Sequence, residues 1–208
     1  IYMIFLKYSY IKIIILLPLF LIININTINA QWQQGNGLYE GQVRSITISG
    51  SNVFAGTSLY GIYFSTNNGL NWSWTSMRNR TVLSLAISGN NTFAGTESYG
   101  VNLSTNNGVN WSFFGLSGKT VRSLAITGNY FFAGCNDGIY YTTNNGVNWL
   151  WWSQSLSISV YSLAISGNNI FAGTYYGIYL STNNGETWAQ TSLNNRNVYS
   201  LSISGNNI

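Results

Sequence analysis

One motif recurs along this 208-residue chain, and its regular spacing limits the folds that the chain can adopt. The motif reads V-x-S-L-A-I-S-G-N-N, followed in complete copies by a second segment, F-A-G-T, with few substitutions. Its copies begin 39, 39, 39 and 38 residues apart, at Val43, Val82, Val121, Val160 and Val198. A unit of about 40 residues cannot bury two apolar faces alone, so neighbouring copies must stack.

Each complete copy predicts four short strands separated by turns. In the fourth copy the first strand spans Val160 to Ser166, a Gly-Asn-Asn turn follows, and F-A-G-T belongs to the second strand. The third strand is G-I-Y-L-S-T, and an Asn-Asn-Gly turn leads to a fourth strand that starts beside a tryptophan. β-branched and aromatic residues favour strands, whereas Asn and Gly tolerate the positive φ that hairpin turns require.

This pattern predicts an all-β fold, a β-propeller of four-stranded antiparallel blades with a repeat of about 39 residues. The first strands are apolar on both faces, as expected for inner strands that are buried between stacked blades. An open β-solenoid is the alternative architecture, but its coils are usually shorter and lack three hairpin turns per repeat.

The repeat also sets the predicted boundaries. Complete blades span 43–81, 82–120, 121–159 and 160–197, and a partial blade spans 198–208. Trp32 lies 11 residues before Val43, and this spacing matches the tryptophan of a fourth strand. We therefore predict that residues 31–42 are a lone fourth strand of the final blade. We also predict that the sequence is truncated at its C-terminus and belongs to a ring that is monomeric when complete.

The N-terminal segment 1–30 has the order of features found in a secretory signal peptide. Lys7 and Lys12 precede an apolar run from Ile13 to Ile23, and a polar stretch then ends at Ala30. The run is shorter than the roughly 20 residues of a membrane-spanning helix, so we expect cleavage after Ala30 and no stable membrane span afterwards. An uncleaved N-terminal anchor is the alternative. The segment predicts a secreted, periplasmic or cell-surface protein.

Charge is sparse in the remainder of the chain. Beyond residue 30 there are six basic and four acidic residues, which are spread thinly along the sequence. No basic run could follow a phosphate backbone, so nucleic acid is not an expected partner. Cys135 is the single cysteine, which leaves no internal disulfide. It occupies a position that threonine holds in the other complete copies.

A second motif lies at each turn between the third and fourth strands. Its sequences are STNNGLNW, STNNGVNW, TTNNGVNW and STNNGETW, which begin at Ser65, Ser104, Thr142 and Ser181. They resemble the Asp-box, or BNR, repeat Ser-x-Asp-x-Gly-x-Thr-Trp of sialidases, sortilin-type receptors, xyloglucan-degrading hydrolases and Ycf48-type assembly factors. The resemblance implies a propeller with the box at the hairpin between strands three and four.

The resemblance implies that the residues at the matched box positions have a structural role. Serine or threonine, asparagine, glycine and tryptophan stand at Ser65, Asn67, Gly69, Trp72, Ser104, Asn106, Gly108, Trp111, Thr142, Asn144, Gly146, Trp149, Ser181, Asn183, Gly185 and Trp188. Asparagine replaces the family's usual aspartate in every copy. Its side-chain oxygen can still accept a hydrogen bond from the turn backbone, so we expect the turn to persist without a charge-dependent role such as cation binding. The tryptophans are interpreted as packing residues.

Groups for catalysis are few. The chain has no histidine, which excludes serine–histidine and cysteine–histidine nucleophile systems. Glu97 and Asp137, in loops of neighbouring repeats, are the best candidates for a carboxylate pair, although solvated loop acids are the simpler interpretation. The Arg-Ile-Pro sequence that is typical of sialidases is also absent. We therefore predict a non-catalytic member of this superfamily, with no cofactor and no bound metal.

The second position of the first strand varies while its surroundings stay constant, with Arg44, Leu83, Arg122, Tyr161 and Tyr199 in successive copies. First strands line the central channel of a propeller, so we predict that Arg44, Arg122, Tyr161 and Tyr199 ring a channel mouth and bind a ligand. Simple solvation or packing at a strand end is the alternative. The fourth strands carry further aromatic residues for binding or for packing between blades: Trp74, Phe113, Trp151 and Trp152.

Three functions fit these observations. The first is a secreted, non-catalytic propeller that binds a protein or a glycan as an interaction scaffold. The second is an Asp-box glycoside hydrolase, similar to sialidases or xyloglucanases, whose catalytic residues lie outside this sequence. The third is an assembly factor resembling Ycf48, for which an arginine-rich patch is expected. The scarcity of catalytic groups favours the first.

Overall fold

A computed structural model describes residues 41–152 and 158–204, and every regular element in these ranges is a β-strand. They belong to one compact unit, Gln34–Ile208. The predicted signal peptide 1–30, nearly all of the lone strand 31–42 and the last four residues lie outside the described ranges. Within those ranges, no helix has the length and apolar character needed to cross a membrane.

Sixteen strands are found in the described residues, four in each complete repeat. The first strand of each repeat has seven residues: β1 Val43–Ser49, β5 Val82–Ser88, β9 Val121–Thr127 and β13 Val160–Ser166. The second strands contain the F-A-G-T segment or its variant F-A-G-C: β2 Asn52–Thr57, β6 Asn91–Thr96, β10 Tyr130–Cys135 and β14 Asn169–Thr174.

The outer two strands of each repeat are shorter on average. The third strands follow a glycine-ended loop: β3 Gly61–Ser65, β7 Val101–Ser104, β11 Gly138–Thr142 and β15 Gly177–Ser181. The fourth strands begin one residue after the box tryptophan: β4 Ser73–Trp74, β8 Ser112–Gly115, β12 Leu150–Trp152 and β16 Ala189–Asn194. The box tryptophan therefore lies in the turn, not in the strand.

The strands form four separate four-stranded sheets, each in the simple order of the chain, such as β1-β2-β3-β4. All neighbouring strands are antiparallel, and each sheet lies within one complete repeat. Four such blades confirm the predicted propeller fold rather than the coils of an open solenoid.

Every first strand contains a β-bulge at its second position. In β1, Val43 pairs with Thr57 and Ser45 pairs with Gly56, so Arg44 has no residue opposite it. The same register shift skips the equivalent residues of the next three blades, which are Leu83, Arg122 and Tyr161. A bulge leaves one residue unpaired and changes the direction of its side chain. The variable position of the repeat is therefore the bulged one.

Neighbouring blades pack through their inner strands, since the first strand of one blade contacts both the first and the second strand of the blade before it. Phe54 of β2 and Val82 of β5 are fully buried in one cluster, where Leu85 and Ile87 also pack. The other blade pairs repeat this arrangement around Phe93 with Val121, and around Phe132 with Val160. Each core of this fold thus lies between two blades, which is why the repeats must stack.

Serine at the third position of the first strand links neighbouring blades. Ser123 Oγ accepts a hydrogen bond of 2.9 Å from Leu163 N. Ser162 Oγ accepts one of 3.0 Å from Leu201 N, in the fifth repeat. Residues 198–203 carry no assigned strand.

The box turns are held by side-chain hydrogen bonds that recur in all four blades. In blade two, Ser104 Oγ accepts a bond of 2.8 Å from Gly108 N, and Asn106 Oδ1 accepts one of 2.9 Å from Asn110 N. The turn residues Asn107 and Gly108 have φ of 55° and 79°, values that suit asparagine and glycine. The asparagine oxygen therefore accepts the backbone hydrogen bond that aspartate is expected to accept in Asp-box repeats.

Replacing Asn106 with alanine is expected to lower the free energy of unfolding by about 1 kcal/mol, because the Asn110 amide loses its acceptor. Replacing it with aspartate keeps an acceptor oxygen in place of Oδ1 and is expected to be neutral or stabilising, since a charged acceptor bonds more strongly. Guanidinium unfolding followed by tryptophan fluorescence measures both variants. An aspartate variant as unstable as the alanine variant would contradict this role.

Candidate functional site

The two ends of the blades differ in the segments that they present. At one end, which we call the loop face, the loops between strands two and three meet the connections between blades. Gly61 N donates to Arg80 O at 2.9 Å, and Gly100 N donates to Lys119 O at 3.0 Å. At the other end, which we call the box face, the box turn meets the first hairpin, since Asn68 N donates to Ser51 O at 3.0 Å.

The bulged residues lie at the loop face. First strands start there, because Val43 pairs with Thr57 at the end of β2, where the loop to β3 begins. Successive first strands run in the same direction, since Leu163 bonds to Ser123 one repeat earlier and Leu201 bonds to Ser162. Position two of each of the four described first strands therefore lies at the loop face.

Three of the four predicted ligand-binding residues form one continuous contact, which we call the ladder (Arg122, Tyr161 and Tyr199). The Arg122 guanidinium carbon lies 5.6 Å from the centre of the Tyr161 ring. The Tyr161 and Tyr199 rings follow, with centroids 4.9 Å apart. Tyr199 is 66% exposed, and Asn197 Nδ2 donates to its hydroxyl at 3.0 Å. The ladder thus offers a cation and two aromatic rings across three blades.

The fourth predicted residue, Arg44, lies apart from the ladder, with Leu83 at the equivalent position between them. Its Nε donates to Ser58 Oγ at 2.7 Å. Arg122 Nε donates in the same way to Asn136 Oδ1 at 2.5 Å. Ser58 and Asn136 both follow directly on a second strand, so each arginine is fixed by the adjacent loop of its own blade. Each bond uses Nε, so the terminal guanidinium nitrogens take no part in it.

The best carboxylate candidate, Asp137, is held in an ion pair. Lys119 Nζ lies 2.5 Å from Asp137 Oδ2, which also accepts a hydrogen bond of 3.0 Å from the Tyr140 hydroxyl. The bond to Asp137 raises the pKa of Lys119, and burial raises the pKa of the Tyr140 hydroxyl. No contact joins Asp137 to Glu97 in the part of the chain described.

The basic residues of the described ranges, although sparse in the sequence, all lie at the loop face. This was not predicted from the sequence. All six basic residues beyond residue 30 stand either at the bulge or in a connection between blades: Arg44, Arg78, Arg80, Lys119, Arg122 and Arg196. Glu97 and Asp137 are the acidic residues described on the same face, and Glu186 lies in a box turn. Comparing the position of each charge within its repeat would have revealed this segregation.

Aromatic rings accompany these cations. The Arg80 guanidinium carbon lies 4.0 Å from the centre of the Tyr99 ring, and that of Arg78 lies 5.0 Å from the centre of the Trp74 ring. Tyr99 is 54% exposed. Two further exposed tyrosines, Tyr175 and Tyr176, sit in the loop of blade four with ring centroids 5.0 Å apart. Guanidinium groups over exposed rings thus recur around the face.

The box face is different in character. A depression between blades two and three is lined there by uncharged residues, among them Ser88, Asn91, Asn129, Tyr130 and Asn145. The box tryptophans Trp111, Trp149 and Trp188 pack against the cores between blades. Cys135 is buried, and burial raises the pKa of its thiol to about 12, so a packing role suits it.

The additional aromatic residues of the fourth strands divide into two groups. Trp74, Phe113 and Trp151 are between 46% and 59% exposed. Trp152 is half-buried, with its ring centroid 5.6 Å from that of Trp188 in the next blade. Exposure and packing between blades are therefore both found on these outer strands.

Comparisons with known proteins support the fold. No protein-family model matches the chain, and no curated protein matches its sequence. An ancestral GH74 enzyme is similar over 77% of this chain and 25% of its own, with 25% identity and a TM-score of 0.65. The extracellular domain of the BT4673 one-component system of B. thetaiotaomicron is similar over 85% and 27%, with 18% identity and a TM-score of 0.71.

A third structure, YCF48 from Cyanidioschyzon merolae, is similar over 84% of this chain and 64% of its own, with 19% identity and a TM-score of 0.62. This chain thus spans about a quarter of the length of the first two structures and less than two thirds of the third. All are propeller proteins of one repeat type. Together with the four-stranded blades, they show that this chain has the β-propeller fold, and its box turns are similar in sequence to BNR, or Asp-box, repeats.

Proposed function

We propose that this chain is part of an exported, non-catalytic propeller that binds a glycan or a protein through its loop face. One observation carries the proposal: a bulge in every blade directs a variable side chain to the same face, where Arg122, Tyr161 and Tyr199 come into contact. Bulges commonly lie beside functional sites, because they change the direction of a side chain. Arginine and tyrosine are frequent recognition residues.

Export is supported by the signal-like segment 1–30 and by likeness to a protein described as an extracellular domain. A binding role without catalysis is supported by the state of Asp137, whose carboxylate is paired with Lys119. The likeness to a GH74 enzyme makes a glycoside hydrolase the second candidate function, with catalytic residues outside this sequence. The likeness to YCF48 keeps an assembly factor as the third, since the loop face gathers the basic residues.

Screening the exported protein on a glycan array and on extracellular protein fractions tests the proposal. The triple variant Arg122→Ala, Tyr161→Ala, Tyr199→Ala is expected to bind at least tenfold more weakly to any glycan or protein that the wild type binds in this screen. Phe113→Ala, an exposed aromatic change on an outer strand, is expected to bind normally. Equal binding by the triple variant would exclude the ladder as the site. Release of reducing ends from xyloglucan would favour the hydrolase.

A further inference from the structure

The described charges of the propeller are divided unequally between its two faces. The loop face carries six basic residues against Glu97 and Asp137, whereas Glu186 is the charged residue that the structure describes on the box face. The segment that contains Glu40 lies outside the described ranges. A face with one sign of charge attracts partners of the opposite sign and discriminates against partners of the same sign.

The arginines of this face have no acidic partner in the described residues. The one ion pair found there joins Lys119 to Asp137. Arg44 and Arg122 each use Nε to bond a neutral side chain, Ser58 or Asn136. Arginine has five N–H donors, and its planar fork matches a carboxylate or sulfate group. The terminal nitrogens of both arginines are not used in these bonds and can donate to an anionic group from outside.

Rings accompany the charge at two places. Arg122 lies over Tyr161, which contacts the exposed ring of Tyr199, and Arg80 lies over the exposed ring of Tyr99. A sugar ring is amphipathic and can stack on an exposed aromatic face, while an acidic group on the same sugar pairs with arginine. Arginine–tyrosine contacts thus occur both at the bulges, in Arg122 and Tyr161, and in the loops between strands and blades, in Arg80 and Tyr99.

From this combination we infer that the ligand of the loop face is an acidic polysaccharide, whose anionic groups pair with Arg44, Arg80 and Arg122 while its sugar rings stack on the exposed rings of Tyr199 and Tyr99. The inference rests on the proposed binding function and narrows its ligand. Carboxylate and sulfate groups share the required chemistry. Arginine beside an exposed tyrosine favours a charged sugar over a neutral one, since a neutral sugar would leave the guanidinium groups without ion partners.

Titrations of the exported protein with three defined glycans test the inference. Polygalacturonate supplies carboxylates, chondroitin sulfate supplies sulfates as well, and xyloglucan is the neutral comparison. We expect binding to at least one acidic glycan, weakened at least tenfold between low salt and about 0.5 M salt because exposed charges are screened. We expect xyloglucan to bind at least tenfold more weakly at low salt.

Matched variants assign the binding to the face. Arg80→Ala with Arg122→Ala is expected to reduce affinity for the acidic glycan at least tenfold, and Arg122→Lys is expected to lose part of it, because lysine keeps the charge without the planar fork. Glu186→Gln, on the box face, is expected to bind as the wild type does. Unchanged melting temperatures show that each variant folds.

The outcomes separate this inference from the proposed function. Binding of xyloglucan that is insensitive to salt and depends on Tyr161 and Tyr199 would contradict the inference of an acidic ligand. The proposed function as a binding scaffold would then still stand. Tighter binding to an acidic protein or to single-stranded DNA than to either acidic glycan would overturn it in favour of another polyanion. Binding that none of the loop-face variants alters would overturn both.

Discussion

Replacing Phe132 with alanine is expected to lower the free energy of unfolding by about 3–5 kcal/mol, the range found for removal of a buried phenylalanine ring. Phe132 has no exposed surface and belongs to the core between blades three and four. Gly185 of the next box turn lies directly on its ring, since a Cβ built there would be 2.7 Å from Phe132 Cε1. The alanine variant therefore weakens the stacking of two blades as well as one sheet.

Chemical unfolding of the Phe132→Ala variant, followed by tryptophan fluorescence, measures this effect. Phe113→Ala is the matched control, because the same ring is removed from a side chain that is 59% exposed; a change within about 0.5 kcal/mol is expected there. A Phe132 variant that is no less stable than this control would show that the core between blades contributes little to stability.

Replacing Gly134 with alanine is expected to cost about 1–3 kcal/mol, as overpacking of a tight core does. Gly134 is the glycine of the second strand in blade three, and a Cβ built on it would be 2.7 Å from Val160 Cγ1 of blade four. Equivalent contacts join Gly56 to Val82 and Gly173 to Val198. The glycine is thus required by the neighbouring blade, which leaves no room for a methyl group.

A double-mutant cycle tests that explanation. In a Val160→Ala background the colliding methyl group is gone, so Gly134→Ala is expected to cost at least about 1 kcal/mol less than in the wild type. Both single variants and the double variant are unfolded in guanidinium under the same conditions. An equal cost in the two backgrounds would mean that the glycine matters for the backbone of its own strand and not for the contact between blades.

Much of the fold could be predicted from the sequence because its information is local and repeated. Asparagine and glycine mark the turns, and apolar seven-residue segments mark the first strands. The reason for the second-strand glycine could not be seen, because Val160 reaches Gly134 only after two blades have stacked. The bulge could not be predicted from the sequence either, because it depends on how the strand that contains Arg122 pairs with its partner strand.

The candidate site was predictable in part. Variation at position two of the repeat pointed to Arg122, Tyr161 and Tyr199, which the structure brings into contact. The gathering of charge was not anticipated, because residues such as Arg80 and Arg196 are more than 100 positions apart in the chain yet occupy equivalent connections between blades. Linear spacing conceals such a pattern, whereas alignment of the repeats with the topology reveals it.

The bulged residue of each blade can be changed for ligand recognition without altering the strand pairing that stabilises the sheet, which is useful for engineering. The bulged residue has no cross-strand partner, so its identity does not enter the register of the sheet. Arginine, leucine and tyrosine already stand at this position on blades of the same strand order. A library randomised at Arg44, Leu83, Arg122 and Tyr161 should therefore yield folded variants of differing specificity, with one independently adjustable side chain for each blade.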